Sequence, residues 1–133
     1  AGHLGIWDPE NGAAIIIDAV LESGIYDRAG NRLIPPRYFD AAWIEGTIRK
    51  LRALNPQHLL TAHYPPLQGQ EVPDFLDRSL DYTQQVRRVV GEGLDRGITD
   101  LWELTQYANE QLGPYPEMMA ELGAPVRAYM ATF

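Results

Sequence analysis

Ala13-Ala14-Ile15-Ile16-Ile17-Asp18 is the stretch that decides the fold. Five apolar residues run without interruption and three of them are isoleucine, a pattern that predicts a strand buried on both faces of its sheet. Asp18 ends the run, so a carboxylate stands where a buried strand opens into a loop. Upstream, Asp8-Pro9-Glu10-Asn11-Gly12 has hairpin chemistry, with proline fixing φ and Asn-Gly supplying the positive φ of a tight turn. The hairpin joins the run back to a strand over His3-Leu4-Gly5-Ile6-Trp7. Downstream, Val20 to Phe39 has no periodicity and carries Gly24, Gly30-Asn31 and Pro35-Pro36. It reads as a loop of roughly twenty residues, a length that points to a functional role.

Asp40 can cap the next helix, whose Ile44, Ile48 and Leu51 share one face before Asn55-Pro56 stops it. His58-Leu59-Leu60-Thr61-Ala62 is then a short strand, ended by His63-Tyr64-Pro65-Pro66, because prolines cannot donate to a ladder. Beyond Gly69 the pattern turns helical. Leu76, Leu80, Val86 and Val90 form one stripe, Leu101, Leu104, Ala108 and Leu112 a second, and Val126, Tyr129, Met130 and Phe133 a third. Asp100 with Glu103 makes a capping box, and Gly91-Glu92-Gly93 or Arg96-Gly97 marks a joint. Trp7, Trp43 and Trp102 read as core anchors, and Met118 and Met119 as core packing.

The fold class predicted is therefore α/β (α+β), with a sheet-containing part over 1–92 and a helical tail over 93–133. The 133 residues lack cysteine and carry a formal charge of −7. That excludes disulfides and thiolate chemistry and disfavours nucleic acid, whose phosphates need a basic face. No apolar run reaches the length of a membrane span, and no charged-then-apolar leader opens the sequence. The expectation is a soluble, cytoplasmic chain with no membrane partner.

Asp18 and His63 share one architectural position, the carboxyl end of a buried strand, where ligands collect in open α/β sheets. Both suit zinc, and the imidazole also suits iron. Each also has a plainer reading: Asp18 accepting backbone N–H bonds from its turn, and His63 bonded to a carbonyl. His58 opens its strand near the surface and is assigned no role.

Taken together, Gly2-His3-Leu4-Gly5, the strand ending in Asp18, Phe39-Asp40 and the strand ending in His63 resemble the second half of the metallo-β-lactamase fold. The resemblance covers roughly residues 2 to 90. It implies the second half of an αββα sandwich followed by a helical accessory tail. It further implies a metal-dependent hydrolase of the β-lactamase and glyoxalase II type, holding two zinc ions, iron being the less favoured metal. Asp18 would bridge the two ions, His63 would complete the second, and His3 would stand beside the ligands and orient them. The Val20 to Phe39 loop would shape the pocket for a small-molecule substrate. The family's His-x-His-x-Asp-His cluster has no counterpart, since the histidines are His3, His58 and His63. The expectation is thus the C-terminal part of such an enzyme, inactive and holding metal weakly by itself. Its partners would be the N-terminal half of the same protein or a second copy in a homodimer. The alternative is a non-catalytic helical interaction or dimerisation module in which Asp18 and His63 are structural.

Overall fold

A computed structural model describes residues 5–133. His3 and Leu4, where the first strand was expected to begin, lie outside the described residues. Strands β1 (Ile6–Asp8) and β2 (Ala13–Ile17) form the expected hairpin. The Asp8 carboxylate accepts from the backbone N–H of Glu10 and Asn11 and from the Asn11 side chain. Gly12, at φ 60°, supplies the left-handed residue of the turn. The chain then passes through a small hairpin, β3 (Ile25–Tyr26) and β4 (Arg32–Ile34), and enters helix α1 (Ala41–Leu54). The Asp40 carboxylate caps α1 through the Trp43 N–H, and Asn55 ends it at φ 50°. Strand β5 (His58–Thr61) returns parallel to β2, and β6 (Leu67–Gln68) closes the sheet in the order β1-β2-β5-β6.

Helix α2 (Glu71–Asp95), α3 (Leu101–Leu112), a 3-10 turn (Met119–Leu122) and α4 (Gly123–Met130) follow. All share one core with the sheet, from Ala14, Ile16 and Leu59 through Phe75 and Val86 to Leu104, Val126 and Tyr129. The tail also reaches back by hydrogen bonds. The Tyr115 hydroxyl donates to the Ser23 carbonyl at 2.6 Å and meets the Tyr82 hydroxyl at 2.7 Å. The Tyr129 hydroxyl donates to Glu45 of α1 at 2.9 Å.

Several expectations need correction. β2 is buried on one face only: Ala14 and Ile16 are covered by the helices, while Ile15 and Ile17 are 40% and 50% exposed. Side chains alternate across a strand, and helices pack on a single side of this sheet. Ile6, Ile15 and Leu60 stand opposite one another on the outer face, all exposed. The presumed loop after Asp18 contains a hairpin, because the Asp27 carboxylate gathers the N–H groups of Ala29 and Asn31 into a tight turn. Gly91 and Gly93 are not a joint, since α2 runs through both to Asp95. A Cβ at Gly93 would stand 2.3 Å from Leu104 Cδ1, so this glycine lets α3 approach closely. The joint is Arg96-Gly97, with Gly97 at φ 84°. Trp43, Trp102 and Met118 lie largely outside the core. Among the described residues no helix is long and apolar enough to cross a membrane.

Candidate metal centre and its pocket

Asp18 is delivered by a distorted strand end. The register between β2 and β5 shifts between Ile15 and Ile17, and Ile17 takes φ 52°. That is a left-handed conformation which costs a β-branched residue roughly 1–3 kcal/mol. Two backbone bonds hold the distortion, Ala62 N–H to the Ile17 carbonyl at 3.1 Å and Ala19 N–H to the Ile16 carbonyl at 2.9 Å. The first ties the ends of β2 and β5 together, so Asp18 and His63 emerge side by side.

His63 Nε2 lies 3.1 Å from Asp18 Oδ1, and both side chains are a little under 40% exposed. The separation is that of an ion pair, yet the geometry is not that of a hydrogen bond. Asp18 Oδ1 is shielded from solvent and has no hydrogen-bond partner. A buried oxygen left this way costs about 1–3 kcal/mol unless something else satisfies it. Two atoms bound to one tetrahedral zinc at ~2.0–2.1 Å stand ~3.3 Å apart. The convergence therefore fits two members of a metal ligand set. Among the described residues no group of three or more His, Asp or Glu side chains gathers to hold a metal. His58 is exposed at the start of the inner strand β5, the end opposite His63, and lies apart from the pair.

Tyr64 clamps the loops that carry Asp18 and His63 together. Its hydroxyl donates to the Leu21 carbonyl at 2.9 Å and to the Gly24 carbonyl, and its ring packs edge-on to Phe75 at 5.3 Å. Burial pushes its phenol well above the usual range, with the Glu22 carboxylate adding to the effect. Glu22 is itself held by Arg78 of α2 at 3.0 Å. A tyrosine beside His63 was visible in the sequence, but nothing there indicated that it would reach more than forty residues back to Leu21.

Beside the pair opens a pocket of about 570 Å³, lined by Asp18, His63, Leu21, Ile25, Ile34, Pro35, Arg37, Tyr38, Phe39, Asp40 and Trp43. Most of that wall comes from the segment between Asp18 and α1, the part of the chain from which a pocket was expected. Trp43 and Phe39, 40% and 70% exposed, stand at its mouth. Arg37 and Trp43 were not singled out as pocket residues. The flanking Pro35-Pro36 was the available hint, since prolines fix φ and hold the backbone of this segment extended.

No protein-family model matches the chain, and no curated protein matches it in sequence. Among solved structures it is similar to a double mutant of the sec-alkyl sulfatase PisA1, with a TM-score of 0.60 and 18% identity. The match covers 96% of this chain and 21% of that one. The neighbour has the metallo-β-lactamase fold. This chain has a mixed α+β fold that superposes on part of that metallo-β-lactamase-fold protein. The likeness fixes the architecture, and chemistry has to be argued from the site.

Proposed function

We propose that this chain is the C-terminal part of a dinuclear, zinc-dependent hydrolase of the metallo-β-lactamase superfamily. The observation that carries the reading is the convergence of Asp18 and His63, with an unsatisfied carboxylate oxygen between them. In this reading Asp18 and His63 would be the residues of this chain that hold the metal, with His3 beside them as the expected orienting residue. The remaining ligands belong to a segment outside these 133 residues. When bound, such a pair of ions supplies a nucleophile at neutral pH and polarises the substrate's reacting oxygen. The chain's own contribution is to hold Asp18 and His63 in register through Tyr64 and to exclude water with the apolar wall. In the same reading 93–133 is the helical accessory tail.

Two ligands hold zinc weakly, because a catalytic site usually has about three from the protein. Zinc titrated into the chain should shift the His63 imidazole signals in NMR spectra and leave those of His58 unmoved. After desalting, well under one equivalent should remain. Asp18→Ala should weaken the response at least ~tenfold, the loss found even for groups that only orient ligands. A zinc response indifferent to Asp18→Ala, or absent at His63, sinks the reading.

A second reading, an interaction module, is favoured by one observation: the bare apolar row Ile6, Ile15 and Leu60. We infer that in the parent the rest of the fold covers this face, and that the isolated chain pairs through it as a homodimer. Light scattering should then return twice the chain mass, and Ile15→Asp should return a monomer. A dimer that survives Ile15→Asp would place the contact elsewhere, with Phe133 the next surface to test.

A further inference from the structure

We propose that the pocket beside Asp18 and His63 takes an organic anion with an apolar body, and that Arg37 is the residue that reads its charge. The inference rests on the hydrolase reading for the pocket's being a substrate site, and it adds the class of ligand. The volume, about 570 Å³, falls within the ~300–1,000 Å³ of small-molecule sites, which combine apolar walls with a few placed polar groups. The walls here are Ile25, Ile34, Pro35, Phe39 and Trp43. Two of these are aromatic and exposed at the mouth, where they offer flat surfaces to a ring or an alkyl chain.

The charged groups in the lining are unequal. The Asp40 carboxylate is committed to the N-terminus of α1, accepting from the Trp43 N–H at 2.8 Å. Asp18 faces His63. Among the described residues Arg37 is the one guanidinium in the lining. Its Nε lies 3.3 Å from Glu121 Oε2, with the Arg37 side chain 60% exposed, and its Cζ lies 5.5 Å from the Phe39 ring centroid. Glu121 meets the fork at its Nε edge and Phe39 supports its plane. The terminal nitrogens remain to donate in parallel to a carboxylate, sulfonate or phosphate, the geometry that guanidinium groups bind best. Glu121 belongs to the 3-10 turn before α4, so the helical tail sets the direction of the pocket's cation. An exposed pair of this kind holds weakly, and an entering anion can share Arg37 with Glu121 at small cost.

The test uses three probes that share an apolar body and carry an anionic, a neutral and a cationic head group: 4-phenylbutyrate, 4-phenylbutan-1-ol and 4-phenylbutylamine. Each is titrated into the metal-free 133-residue chain and followed by the amide signals of Arg37 and Phe39 and the indole N–H of Trp43. The carboxylate should bind about fivefold more tightly than the alcohol, and the amine most weakly. Arg37→Gln should bring the carboxylate to the alcohol's affinity while leaving the alcohol unchanged, and Arg37→Lys should keep part of the preference. Equal affinity for the three probes overturns the proposal. So do a preference that survives Arg37→Gln, and shifts confined to Ile6, Ile15 and Leu60. Because no metal is present, such a failure stays separate from that of the hydrolase reading, which is decided by the zinc response of His63.

Discussion

Raised through about pH 10, the chain should unfold cooperatively, with tyrosinate absorbance and loss of helical signal rising together. Tyr38, Tyr82, Tyr115 and Tyr129 are all at most 3% exposed, and Tyr64 is partly buried. Burial is the largest cause that lifts each of these five phenols above its ordinary value. The Arg32 guanidinium and the Tyr82 hydroxyl draw Tyr115 partly back, and the Glu45 carboxylate pushes Tyr129 further up. The sign follows from proton counts. An unfolded tyrosine loses its proton near pH ~10, whereas the folded chain keeps these protonated. Stability is therefore whole below that pH and falls as pH climbs towards the folded values. Each such group costs about 1.4 kcal/mol per pH unit in that window. Summed over several such groups, this loss is comparable with the whole stability of an ordinary domain, about 5–15 kcal/mol. The measurement is far-UV circular dichroism and tyrosinate absorbance on one sample across the alkaline range. Five tyrosines ionising one by one while the helical signal stays native to about pH 12 would show that local opening, not global unfolding, admits hydroxide.

The elements that carry the candidate site were legible because their signals are local. Asp8 and Gly12 announce the first turn, Asp40 and Asn55 bracket α1, and an uninterrupted apolar run ends in Asp18. The distance between Asp18 and His63 was legible only as architecture: two strands joined by a helix lie parallel, and their carboxyl ends coincide. The rest depended on which partners were present. The Ala13–Ile17 run is apolar on both faces, but composition cannot say that only one face meets a helix within this chain. Gly93 looked like a hinge because a glycine within a helix lowers its propensity. Its reason is instead the side chain of Leu104 pressed against it from another helix. Trp43 and Trp102 read as core by size alone, whereas the α1 face is set by Ile44, Ile48 and Leu51, and Trp43 lies off that stripe. The tethers formed by Tyr64, Tyr115 and Glu121 join residues 40 to 92 positions apart. No periodicity encodes such a distance.

Gly24→Ala should destabilise the chain by about 3 kcal/mol or more, lowering its melting temperature by roughly 10 °C. Gly24 is buried at φ 110°, where L side chains are strained. A Cβ there would stand 2.1 Å from the Ile34 carbonyl oxygen, 3.1 Å from the Ile34 carbonyl carbon and 3.2 Å from Pro35 Cα. All three are backbone atoms, so no rotamer change relieves the collision and the β3–β4 hairpin has to open at its Ile25–Ile34 rung. Both residues of that rung line the pocket. The Gly24 carbonyl also receives the Tyr64 hydroxyl, so displacing it loosens the loop that presents His63. The substitution should therefore cost more than heat stability: the zinc response of His63 should weaken along with it. Gly30→Ala is the matched control. Gly30 also has positive φ, 86°, but a Cβ there meets nothing within 4 Å, so only backbone strain of about 1 kcal/mol is expected. Calorimetry of the two variants separates strain from collision. If both lose the same stability, the close approach of Gly24 to Ile34 carries no energy, and the hairpin is not what holds the pocket wall in place.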